Sequence, residues 1–234
     1  ASGLADARDQ VPSYSDSEQS KLQAAVSQPI VAEQAGFEGA AALALYATLA
    51  LWVGAVAIFM IVAPRPANAF GTRRPALATT LRAFGPAAVL AAVQGVLVGV
   101  AMAVASSSGP GRGVGLVAAA VGVSLAFTAL MQGLTTLLGG SVSRLTAVMV
   151  GVVAIAPGVV SSIPEPLARL ADWLPTQPAH WLFHSALGGP GGVGGSIAEL
   201  AAWCALGLAV TMAATAQARS ITPRQFWSSL PQRT

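Results

Sequence analysis

The chain has 234 residues, of which 54% are hydrophobic and only 9% charged. A soluble domain carries about a quarter charged residues, so an ordinary soluble enzyme, a disordered tail and a nucleic-acid binder are excluded. A single cysteine excludes an intrachain disulfide framework and a cysteine-cluster metal site, and the net charge of +3 is unevenly placed.

Residues 1–35 are polar and lack the apolar core of a secretory signal. Gly3-Leu4-Ala5-Asp6 followed by Gln10-Val11-Pro12 reads as a helix end and a turn, and residues 17–23 as a short amphipathic helix. Pro29 keeps the residue before it out of the helical region. This piece has too little apolar surface to fold alone and is expected to hang from an upstream extracytoplasmic domain. With no Met before Ala1, the chain reads as a fragment, a processed product or the ordered part of something longer.

Uncharged runs then cover residues 39–64, 83–111, 113–143, 145–164 and 200–218. Each is long enough for a helix crossing a hydrocarbon layer about 30 Å thick, which takes about 20 residues. They predict an all-α, polytopic domain over 36–217 with spans at 41–62, 84–106, 114–138, 145–162 and 197–216. Strands of a barrel would be shorter and alternate in polarity. Residues 218–234 form a cytoplasmic tail.

Charge chooses the sides. Arg65, Arg73, Arg74, Arg82, Arg144, Arg219, Arg224 and Arg233 share one set of connections, with no acid among them. Arg8, Lys21, Arg112, Arg169 and all nine acids share the other. The positive-inside rule puts the arginine-rich set in the cytoplasm. The chain is therefore expected in the cell membrane, N-terminus outside and C-terminus inside, facing membrane lipid.

Between the spans, 63–83 holds Pro64, Pro66, Pro75 and four arginines, and Leu77, Leu81 and Phe84 are spaced as an interfacial helix. Residues 106–113 form a short outer loop, and 139–144 a tight inner turn that makes spans three and four antiparallel neighbours. Residues 166–174 are amphipathic, and Trp173, Trp181 and Phe183 suit the membrane interface. The stretch 173–198 reads as a loop and a short helix. Gly95, Gly99, Gly115, Gly122, Gly133 and Gly151 permit close packing within lipid.

The chemistry the residues allow is limited. Lys21 is the only lysine and has no glycine-rich loop before it, so the chain has no P-loop; any ATP must be hydrolysed by another subunit. Ion-coupled carriers place ionisable groups inside the bilayer, yet only Glu199 comes close, as an interface residue at the outer mouth of span five. Gln94 and Gln132 are the strongest polar groups at mid-membrane, read as structural ties between helices before a polar path. Thr48, Thr128, Thr135 and Thr136 can bond their own helix backbone. His180 and His184 share one helical face, but two ligands do not close a zinc site. No catalytic, cofactor or metal residues are assigned, and Cys204 reads as a small apolar residue.

Four stretches carry a family resemblance: residues 3–15 with Val26-Ser27-Gln28-Pro29-Ile30-Val31; Leu49-Ala50-Leu51-Trp52-Val53-Gly54-Ala55; Phe127 through Gly139-Gly140; and Ile163-Pro164-Glu165-Pro166 with Leu174-Pro175-Thr176 and Gly188-Gly189. In this order they resemble the C-terminal membrane region of the YhgE/Pip family (phage infection proteins), relatives of type-2 ABC exporter membrane domains. The resemblance implies an upstream span, hence six in all, and a large extracytoplasmic domain. Relatives include phage receptors and an accessory component of type VII secretion, and no catalytic residues transfer.

Three readings compete. The first is a homodimeric membrane component of an export or secretion system, with 63–83 (Arg73, Arg74, Arg82) docking a separate ATPase or secretion subunit. The second is a structural anchor displaying an ectodomain that serves as a phage receptor. The third, ranked last, is a membrane-embedded enzyme using Glu165, Asp172, His180, His184 or Glu199. In all three the outer segment bears Glu165, Trp173, His180, His184 and Glu199.

Overall fold

A computed structural model of the chain describes residues 39–62, 76–159 and 165–218. The lead-in 1–35, the docking arginines Arg73 and Arg74 and the tail from 219 onward lie outside the described residues. Seven helices follow in order: α1 (Ala40–Ile61), α2 (Ala76–Ala105), α3 (Pro110–Leu138), α4 (Gly140–Val159), α5 (Glu165–Asp172), α6 (Thr176–Ala186) and α7 (Val193–Ala218). Four of them, α1, α2, α3 and α7, are long and apolar enough to cross a membrane.

Their surfaces agree with a lipid environment. α1 buries Ala44, Ala47, Leu51, Ala55 and Ile58, a stripe at helical spacing. Its opposite side shows Val53 and Ile61, the latter 80% exposed. α2 likewise exposes Val89, Val93, Val96, Leu97, Val100 and Val104. So large a contiguous apolar surface is foreign to a monomer in water and natural against hydrocarbon.

Several boundaries differ from the sequence expectation. The interfacial helix and second span are one 30-residue helix, α2, which runs through Pro86. Pro86 and Arg82, whose carbonyl loses its usual helical donor there, both lie on the exposed side. α3 starts at Pro110, four residues before the expected span, because a proline at the first helical position is already set to helical φ and needs no donor partner. α7 starts at Val193 and takes in Gly194 and Gly195, which were expected in the loop. At the expected fourth span stands the helix α4, 20 residues long, whose apolar stretch Ser141–Ala154 is shorter than those of the four long helices.

α3 is the central helix and touches α1, α2, α4, α6 and α7. It shares its longest interfaces with α2 and α7. Both depend on missing side chains. A Cβ on Gly95 or Gly99 would lie 2.5 Å from the Cα of Val121 or Val117 in α3. A Cβ on Gly133 would lie 2.8 Å from the Gly207 carbonyl, and one on Gly207 would strike the Ala129 carbonyl. Gly139, at φ 78°, makes the turn from α3 into α4 a single residue, tighter than the expected turn over 139–144, of which residues 140–144 are already helical.

α1 is tied to α4 by one side chain. Trp52 is 3% exposed. Its Nε1–H donates to the Ala147 carbonyl (2.9 Å), and its ring meets Phe127 edge-on with centroids 5.1 Å apart. Gly151, one turn along α4, lies beside the indole edge, where a Cβ would stand at 3.4 Å.

Gly207→Val is expected to force α3 and α7 apart and to cost about 1–3 kcal/mol, the usual penalty of overpacking. Gly122→Ala, with nothing within 4 Å of the added atom, is expected to be neutral or stabilising by up to about 1 kcal/mol. Thermal unfolding of both variants in one detergent checks the pair.

Candidate functional site

The residues singled out by sequence fall into three places. Gln94 lies on α2 facing α1. Its Nε2 donates to the carbonyls of Ala50 (3.1 Å) and Leu51 (3.2 Å), and Gly54 supplies the space, since a side chain there would collide with the amide. It is a tie between two helices.

Gln132 lies on α3 and is 5% exposed. Its Oε1 is buried without a hydrogen-bond partner among the described residues. Ser124 and Thr128 precede it at four-residue spacing on the same face, both fully buried. Thr128 donates to the Ser124 carbonyl (2.7 Å), and Thr136 to the Gln132 carbonyl (2.6 Å). The Ser124 hydroxyl, like Gln132 Oε1, lacks a partner among the described residues. Thr48 and Thr211 bond their own helices at Ala44 and Gly207.

The third place is the α5–α6 segment between α4 and α7. α5 is amphipathic, and Glu165 pairs with Arg169 one turn on, both exposed. Such a pair contributes little. α6 is different. Ala179 and Phe183 are fully buried, and the helix packs on α1, α3 and α7. It ends in a glycine motif: Gly188, at φ 99°, donates to the Ser185 carbonyl and Gly189 to that of His184. His184 lies over Gly189, where any side chain would strike its ring.

His180 and His184 stack with centroids 6.1 Å apart and planes 14° apart, and Trp181 meets both edge-on. The Nδ1 atoms of both histidines and the Ser185 hydroxyl are buried without partners among the described residues. Burial, and secondarily the neighbouring His184, hold the His180 pKa below its ordinary 6.5.

The other residues of the candidate segment do not join this cluster. Trp173 is 82% exposed. Glu199 is exposed on α7 and makes no hydrogen bond or ion pair among the described residues. Among them no three His, Cys, Asp or Glu side chains converge to hold a metal. Arg82 is exposed on α2. Beside α6 the structure contains a cavity of about 700 Å³ between α3, α6 and α7. Sequence reasoning missed it, because it arises from the spacing of helices remote in sequence.

No family model matches the chain, and neither a curated protein nor a solved structure matches it.

Two variants separate the glutamines. Gln94→Leu is expected to cost about 0.6–2 kcal/mol through loss of its interhelical bonds. Gln132→Leu, which removes an orphaned acceptor, is expected to be neutral or stabilising by on the order of 1 kcal/mol. Thermal unfolding in detergent reads both signs.

The histidine cluster sets a pH dependence. A depressed pKa means that the unfolded chain takes up the His180 proton first, so its contribution is full above about pH 6.5 and falls with pH through the folded value. The unfolding midpoint is expected to drop between about pH 7.5 and about pH 5.5, and His180→Gln to flatten that drop.

Proposed function

We propose that the chain is the membrane component of an export or secretion system, similar in plan to type-2 ABC exporter membrane domains and without an ATPase site of its own. The observation that carries this reading is α6. A short helix folds back between the fourth helix and the last, and buries Ala179 and Phe183 among α1, α3 and α7. An anchor that only displays an ectodomain needs spans and nothing wedged between them. A domain that handles cargo needs a shaped surface there, and the apolar cavity beside α6 supplies one.

In this reading α4 is the fourth of five spans, and an upstream span brings the number to six. The arginine-rich connections face the cytoplasm of the cell membrane, and α5–α6 lies outside. The resemblance to the YhgE/Pip family supports the same plan. The protein works as a homodimer, and its cytoplasmic segment 63–83, with Arg73, Arg74 and Arg82, docks a separate ATPase or secretion subunit.

Purification in mild detergent followed by mass spectrometry tests this. A stoichiometric ATPase or secretion subunit is expected, and Arg73→Glu with Arg74→Glu is expected to abolish its co-purification while membrane insertion persists. A homo-oligomer without such a subunit would overturn the export reading in favour of an anchor whose ectodomain phage exploit. Binding retained in the double variant would overturn the docking site.

A further inference from the structure

α3 and α7 run parallel and touch at Gly133 and Gly207. Toward their N-terminal ends they leave the cavity of about 700 Å³, with α6 on its third side. Its walls include Leu116 and Val123 of α3, Leu182 of α6, and Ile197 and Leu200 of α7. Apart from the weakly polar thiol of Cys204, the only polar side chain on them is Arg112, in the first turn of α3. Arg112 is exposed and makes no hydrogen bond or ion pair among the described residues.

We propose that this cavity holds an acyl chain of an anionic membrane phospholipid whose phosphate sits on the Arg112 guanidinium. The walls offer a ligand almost nothing but hydrocarbon, so most of the ligand is hydrocarbon. The volume lies within the range of about 300–1,000 Å³ that encloses small ligands. Depth agrees as well. Arg112 and Ala126, both on the wall, are about 21 Å apart along α3 at 1.5 Å per residue. Half a hydrocarbon layer is about 15 Å, so the cavity runs from headgroup level to about the midplane.

Charge selects the headgroup. A guanidinium takes a phosphate through two parallel hydrogen bonds, and the positive end of α3 adds to the attraction. A zwitterionic headgroup brings its own ammonium, which competes with Arg112 for the same phosphate. An anionic one does not. The lipid site stands whether or not the protein exports anything.

Native mass spectrometry of the purified chain, offered phosphatidylglycerol and phosphatidylcholine in equal amounts, tests the assignment. Preferential retention of one phosphatidylglycerol is expected. Arg112→Gln is expected to reduce that preference about tenfold, as for loss of one charge-assisted contact. Gly122 lines the cavity with nothing within 4 Å of its Cβ position; Gly122→Leu should therefore keep the fold and lose the retained lipid. Cys204, the only cysteine of the chain, lines the same cavity, so phosphatidylglycerol should slow its alkylation by a maleimide. Equal retention of the two lipids, an unchanged preference in Arg112→Gln, or alkylation indifferent to lipid would overturn the site.

Discussion

Apolar helices gain little by meeting one another in lipid, because the tails they leave are as apolar as the side chains they find. What holds this bundle is therefore close backbone approach and a few hydrogen bonds. α3 collects most of both. Gly95 and Gly99 bring α2 onto its backbone on one side, and Gly133 with Gly207 bring α7 onto it on another. Dispersion contacts at such range are individually small and collectively large, and only glycine permits them. Trp52 and Gln94 then add the long-range polar ties, one from α1 to α4 and one from α2 to α1.

The same geometry that closes the bundle at one end opens it at the other. Since Gly133 and Gly207 fix α3 and α7 at one level only, the helices are free to separate toward Arg112 and Val193. α6 fits beside the resulting gap because its own apolar side chains, Leu182 and Phe183, face the spans. Its C-terminal glycine motif turns the chain sharply into α7. The cavity thus lies where the glycines of α3, Gly115 and Gly122, meet no facing backbone, in contrast to Gly133.

Much of this plan is legible in the sequence. Charge-free runs mark the long helices because a charge inside hydrocarbon is costly. Gly139 marks the α3–α4 turn, and 166–174 marks an amphipathic helix. Helix ends are harder to read. Pro110 looks like loop and is the first residue of α3; Gly194 and Gly195 look like loop and are helical, because glycine at a helix start carries only a propensity cost that packing overrides. Partners are harder still. Trp52 stands out by its surroundings, but nothing local announces that its donor reaches a carbonyl 95 residues away. Gln94 and Gln132 read alike, each a glutamine followed by a glycine. Only the helix each one faces makes the first a tie and leaves the second with an orphaned oxygen.

Among the described residues, polar atoms buried without partners concentrate on α3 and α6, at Ser124, Gln132, His180, His184 and Ser185, with Thr80 the exception on α2. Each such group costs free energy of about 1–3 kcal/mol while it stays unpaired. No side-chain hydrogen bond joins α6 to α3 among the described residues. The contacts between α6 and α3 are therefore apolar ones. By contrast, pulling α2 from α1 breaks both bonds of Gln94, and pulling α4 from α1 breaks that of Trp52. Among the described residues the bundle is thus tied by side-chain hydrogen bonds along α1, α2 and α4, and by apolar contact alone between α3 and α6, the side that borders the cavity.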